Sequence, residues 1–237
     1  MLGILATSHQ PHFFLYHDLL LSGLNKNEFK SIFLCSNENH EFVETMGRNI
    51  NTELHYLDSN PGHHDGVYAL HSLASNLFDD CDYILHYHAD VWFDIKLVEN
   101  IYEKIKLNGY KIASIPRQWL FDKNAKFIDN KTTPFHTFFT MYEINLFKKC
   151  FDMNILEDLK NDSVKNGHPS KQFEPCVYAA LDRNGIDFDK DILYTDDVMK
   201  LKQRFGDEPV YYNFFNDDSG IFHHDVDAFN SNNIYNK

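Results

Sequence analysis

The sequence predicts an α/β domain built on a mixed, mainly parallel sheet flanked by helices, and three observations carry that prediction. Short apolar runs alternate with helical patterns through the first half, the signature of βαβ units. Two stretches between those runs repeat apolar residues at helical spacing. At 237 residues the chain has the length of one such domain, with a core large enough to need no staples.

Strands are expected over Leu2–Ala6, Ser31–Cys35 and Glu53–Leu57, each a short apolar or β-branched run. Val67, Leu70, Leu73, Leu77 and Phe78 then repeat at helical spacing and place a helix before the fourth strand, Tyr83–Tyr87. Leu97, Val98, Ile101 and Ile105 place another after it, ahead of a fifth strand at Lys111–Ser114. In the second half, His136–Tyr142 reads as a strand, followed by helical segments at Glu143–Cys150 and Ile155–Asn161 and a polar loop over Asn161–Lys171. Pro175, ahead of Val177, Ala180 and Leu181 and closed off by Gly185, marks a helix with proline in its first turn and Glu174 at its N-terminus. One domain is expected over 1–229, with a polar tail at 230–237.

The composition limits the function. A hydrophobic share of 43% with 21 Phe and 13 Tyr excludes a largely disordered chain. Lys and Arg total 22 against 35 Asp and Glu, a net charge of −13, and such a field repels nucleic acid and anionic lipid. An acidic protein that handles a diphosphate needs positive charge, and a divalent cation is the simplest source. Cys35, Cys81, Cys150 and Cys176 lie far apart with no C-x-x-C pair, so they read as reduced, buried thiols. No run approaches the roughly 18 apolar residues of a membrane span, and the start has no basic n-region, so the expectation is a cytoplasmic protein.

The strongest local signal is the run from Cys81 to Phe93, in which an apolar strand leads straight into His86, His88 and Asp90. Parallel strands offer functional groups at their carboxyl ends, so Asp90 is the first candidate for a site. The plainer alternative is that Asp90 caps the helix that follows.

The strand Tyr83-Ile84-Leu85-His86-Tyr87 with His88-Ala89-Asp90 behind it resembles the fourth strand of GT-A glycosyltransferases, whose D-x-D motif binds a divalent metal on the donor diphosphate. The resemblance implies a GT-A-like, Rossmann-type sheet, with a nucleotide-binding half over 1–115 and an acceptor-side half over 116–229. Asp90 is the ligand it carries over. His88 stands where the motif has its first acid, as a further candidate contact to metal, ribose or phosphate. Ala89 completes the motif. The family also supplies a late histidine to the metal, for which this chain offers His223 and His224, unless these are ordinary surface histidines. Thr7, Ser8 and His9, after the first strand, stand where such enzymes hold the base and ribose of the donor. Glu174 resembles the acid that inverting members use as general base, although a carboxylate there also stabilises its own helix.

The implied activity is transfer of a sugar from a nucleotide diphosphate donor, a UDP-sugar in preference to a GDP-sugar, to a glycan or other hydroxyl acceptor. Mn2+ or Mg2+ is the implied cofactor. Independently of the resemblance, the loop Asn60–Gly66 joins a strand to a helix N-terminus, where its two glycines, Gly62 and Gly66, could approach a phosphate through backbone N–H groups, with Asp65 a further candidate in the donor site, or the loop could simply make a turn.

Two other classes compete. His86-x-His88-x-Asp90 matches the start of the H-x-H-x-D-H motif of metallo-β-lactamase-like hydrolases, but Val91 stands where the last histidine is needed. A non-catalytic nucleotide-sugar or glycan-binding module would use aromatics such as Trp92 and Trp119 as stacking surfaces.

Overall fold

The computed structural model describes residues 1–8, 14–21, 28–35, 52–57, 63–89, 91–117, 120–122, 124, 126–168, 172–195 and 221–223, with backbone alone at 15, 16, 19, 63, 64, 92 and 221–223. Its strands are β1 Leu2–Ser8, β2 Phe29–Cys35, β3 Thr52–Tyr56, β4 Tyr83–His88, β5 Val91–Phe93, β6 Ile112–Pro116, β7 Phe135–Glu143, β8 Ile192–Tyr194 and β9 Ile221–His223. Its α-helices are α1 Phe14–Leu21, α2 His63–Ser75, α3 Ile95–Asn108, α4 Ile144–Cys150, α5 Leu156–Lys165 and α6 Phe173–Arg183, with a 3-10 turn at Met153–Ile155.

Seven strands form one sheet in the order β3-β2-β1-β4-β7-β6-β8, while β5 and β9 pair separately. β1, β2, β3 and β4 are mutually parallel, β7 runs against both β4 and β6, and β8 is parallel to β6. The sheet is therefore mixed and mainly parallel, with helices on both faces, as expected. Six strands end at one edge: Ser8, Cys35, Tyr56, His88, Pro116 and Tyr194 all lie there. β7 alone begins there, at Phe135. β4 sits at the centre of the sheet.

The central strands are buried along almost their whole length because both faces are covered. Leu5, Ile32, Leu34 and Ile84 join a core with α2, α4, α5 and α6, while Ile4, Phe33, Leu85 and Tyr87 join a second core with α1 and α3. Successive residues of a strand face opposite sides, so His86 and His88 share the face of Ile84. Helix α3 shows how local signals set an element. Asp94 caps its start by accepting from the Lys96 N–H at 2.9 Å, Val98, Ile101 and Ile105 are its buried stripe, and Gly109 ends it at φ 71°.

Two expectations are corrected by the fold, and four elements are added to those expected. Asn161–Lys171 is not all loop, because α5 continues to Lys165: Leu159 and Ser163 are buried, and Asp162 is clamped by Arg183 on α6 at 2.5 and 2.9 Å. Helix α1 and the short strands β5, β8 and β9 have no counterpart in the sequence pattern, since three-residue strands carry no measurable periodicity. The Asn60–Gly66 loop is cut short by α2, which begins at His63, so Asp65 lies in its first turn. Gly62 lies outside the described residues.

Candidate active site at the carboxyl edge of the sheet

The centre of the carboxyl edge is made by β1 and β4, where Thr7 and His88 are register partners. Just beneath them His86 is completely buried. Its Nδ1 lies 3.1 Å from the Thr137 carbonyl on β7, which can only accept, so Nδ1 carries the proton and donates. Nε2 is then the acceptor, and the Thr7 hydroxyl donates to it across 2.9 Å. One neutral imidazole thus ties β1, β4 and β7 together under the edge. Burial, followed by the charges of His71 and His88, holds His86 well below the usual histidine range, against the opposing Thr137 bond.

This corrects three sequence readings. The Thr7 hydroxyl is committed to His86 and is buried, so Thr7 supports the edge from below instead of meeting a ligand with its hydroxyl. Ala89 is buried and its N–H donates to the Thr7 carbonyl at 3.0 Å, so that donor is spent on closing β1 against β4. His86 has both ring nitrogens engaged within the core, leaving the His86-x-His88-x-Asp90 spacing without its first zinc ligand, and the hydrolase reading loses its support.

Half-buried His88 ends β4, and half-buried Ser8 ends β1. A row of rings runs inward from His88: His86 at 5.5 Å, then His71 of α2 at 4.1 Å from His86, then Phe173 of α6 at 5.1 Å from His71. His71 donates from Nδ1 to the Val67 carbonyl at 2.7 Å, and burial pushes its pKa down to about 4. Phe173 neighbours Glu174, so the row connects the end of the central strand to the start of α6.

Asp90, with His9 and His224, lies outside the described residues, and of His223 only the backbone is described. The backbone on either side of Asp90 is nevertheless informative. Directly after it, Val91–Phe93 forms an antiparallel pair with Ile221–His223, with Val91 opposite His223. Paired residues in such a ladder have Cα atoms about 4.5–5.5 Å apart. A segment more than a hundred residues downstream thus returns to the chain immediately beyond Asp90. Among the described residues no three His, Cys, Asp or Glu side chains cluster as a metal site.

Glu174 lies in the first turn of α6, as expected, and accepts a bond from Arg117 Nη2 at 3.1 Å. Arg117 directly follows β6. Ser114 pairs with Thr140, which pairs with His86, so Arg117 and His88 lie three and two residues beyond one level of the sheet. They are separated laterally by two strand spacings, about 10 Å. Nothing local in the sequence marks Arg117, because no short pattern distinguishes an arginine that the fold will bury. Asp65, a candidate for the donor site in the sequence, pairs with Lys160 of α5 at 3.1 Å, in a small cavity lined also by Tyr68, Gln172, Phe173 and Cys176. Its charge is balanced inside the protein.

No family model matches the chain, and no curated protein gives a significant match. Solved structures do resemble it in fold. Mouse xyloside xylosyltransferase 1 in its apo form superposes with a TM-score of 0.51 at 11% identity, covering 95% of this chain and 97% of that one. An active-site mutant of LgtC gives 0.53 at 12% identity, covering 82% of this chain and 72% of that one. S. aureus TarS gives 0.45 at 12% identity, and there the chain spans about half of the other structure, 48%, with 62% of its own length. The fold is GT-A-like.

Proposed function

We propose that the chain is a glycosyltransferase that moves a sugar from a nucleotide diphosphate donor, a UDP-sugar in preference, to an acceptor hydroxyl with inversion. The observation that carries the reading is the β5–β9 pairing, which joins the segment after Asp90 to the segment of His223 at the carboxyl end of the central strand. Asp90 with His223 or His224 would hold Mn2+ or Mg2+; the carboxylate is the donor that suits either cation, and the imidazole is compatible with manganese. When bound, the cation would neutralise charge on the diphosphate, which a chain of −13 otherwise repels.

The residues of the chain divide the remaining work. Ser8, which ends β1, His9, next to it in the sequence, and His88, which ends β4, are the candidate donor contacts, on a frame that Thr7, His86 and Ala89 hold rigid. Glu174 acts as the general base. The acceptor oxygen forms its bond to the anomeric carbon, the bond from that carbon to the diphosphate oxygen breaks with its electron pair, and the acceptor proton passes to Glu174. The four cysteines are all free and buried, which fits a reducing, cytoplasmic setting. No helix among the described residues is long and apolar enough to cross a membrane.

The test is a thermal-shift titration of UDP, UDP-glucose, UDP-galactose and UDP-N-acetylglucosamine with Mn2+ or with EDTA, followed by assay of UDP release. Ligand at a hundred times its dissociation constant should stabilise the fold by about 2.7 kcal/mol. Stabilisation that survives EDTA at full strength refutes the metal-dependent reading. Stabilisation without any UDP release would instead make the protein a binding module.

A further inference from the structure

We propose that Arg117 is the positioning residue for the base, an inference that rests on the transferase reading above. Its side chain is only 8% exposed, and it stands at the carboxyl edge of the sheet, where β6 ends. The backbone holds it there: the Arg117 N–H donates to the Pro134 carbonyl at 2.7 Å, and its own carbonyl accepts from Leu120 at 2.9 Å. The loop returning from Leu120 to Pro134 is itself anchored to α6, since Tyr178 donates to Asp129 at 2.8 Å. Arg117 is therefore fixed relative to the helix that carries Glu174.

The pair is built in a way that stability alone does not require. Burying an ion pair seldom stabilises a fold more than apolar side chains of the same volume. A guanidinium has five donors in a planar fork that suits two carboxylate oxygens. Here the bond runs from Nη2 to Glu174 Oε1, and the buried Nε has no partner among the described residues. An under-used buried cation beside a carboxylate that is 31% exposed is a costly arrangement with a specific result. A long, otherwise mobile glutamate side chain is held by one oxygen, and Oε2, for which no bond is seen among the described residues, is the oxygen assigned to the acceptor proton. Position matters steeply for a base, because a misplacement of about 1 Å can cost about 10²-fold in rate.

The experiment is a double-mutant cycle on UDP release with Arg117→Lys, Glu174→Gln and the two combined. Calorimetric UDP affinity in Mn2+ and the melting temperature are read on every variant. Lysine keeps the charge, and so the burial, but loses the fork. We expect Glu174→Gln to lose about 10²–10⁴ in kcat, and Arg117→Lys to lose about 10-fold or more with UDP affinity unchanged. The double variant should be no slower than Glu174→Gln, since a positioning residue has nothing left to position. Arg117→Lys within two-fold of the parent overturns the inference, and so do losses that multiply. A loss confined to KM and UDP affinity overturns it as well, making Arg117 a ligand of the diphosphate. If Glu174→Gln is itself fully active, Glu174 is not the base and this inference falls while the transferase reading stands; if the parent releases no UDP from any of the donors, the transferase reading has failed and this inference falls with it.

Discussion

Three histidines packed in the cores should make this protein sensitive to mild acid. His17 is buried between Tyr87 and Ser31, with Nε2 2.7 Å from Ser31 Oγ, and burial pushes its pKa down to about 3. His71 is pushed to about 4 and His86 well below the usual range, again by burial first. All three are neutral in the native state, whereas in the unfolded chain each would titrate near 6.5. Stability is thus full above the unfolded value and is lost as pH falls from there toward the folded values, because the unfolded state binds the protons. At pH 5 a histidine at 6.5 gains about 2 kcal/mol by protonation in the unfolded chain, so His17 and His71 together cost the fold about 4 kcal/mol, and His86 adds to this. Against a typical total of about 5–15 kcal/mol, that is a large fraction. Urea unfolding followed by circular dichroism at pH 8 and pH 5 measures it. His71→Phe, placed among Phe147, Phe151 and Phe173, should remove about 2 kcal/mol of the pH dependence. A difference below about 1 kcal/mol between the two pH values, or an undiminished one in His71→Phe, would refute the reasoning.

Other consequences are equally open to measurement. Asp90→Asn should abolish UDP release with the melting temperature unchanged, since the amide is nearly isosteric but lacks the charge a hard cation prefers; activity within a few-fold of the parent would make Asp90 structural. His223→Ala and His224→Ala should separate, one nearly silent and one severe, and two silent variants remove that segment from the site. Gly3→Ala should destabilise by about 1–3 kcal/mol in urea unfolding, because a Cβ on Gly3 would stand 2.6 Å from the fully buried Phe78 ring. Thr7→Val leaves the Nε2 of His86 without its donor, and a loss of about 1–3 kcal/mol is expected by the same assay.

Much of the architecture is legible in the chain itself. The helix at Ile95–Asn108 announces itself through Val98, Ile101 and Ile105, because helical spacing is a signal carried within a few residues, whereas the cap proved to be Asp94 and not Asp90, the alternative the sequence offered. The runs that become β1, β2 and β4 are apolar on both faces, which only a covered, largely parallel sheet explains. The concentration of His86, His88 and Asp90 at the end of one such run marks the carboxyl edge by local pattern alone. The four cysteines, expected to be free and buried from their wide spacing, are so.

What the tertiary structure decided is the partnership of each polar group, since partners come from remote parts of the chain. Thr7 looks like a ligand contact in the sequence, yet 79 residues on, His86 takes its hydroxyl. Asp65 looks like a loop acid, yet Lys160 lies 95 residues away in the chain and balances it. Arg117 and Glu174, 57 residues apart, meet because β6 ends where α6 begins. The return of His223 to Val91 rests on a pair of three-residue strands too short to leave a periodic trace. Local pattern sets where strands and helices form, because propensity and burial act over a few residues. Which side chains face a substrate and which hold the frame depends on contacts whose sequence separation no local pattern records.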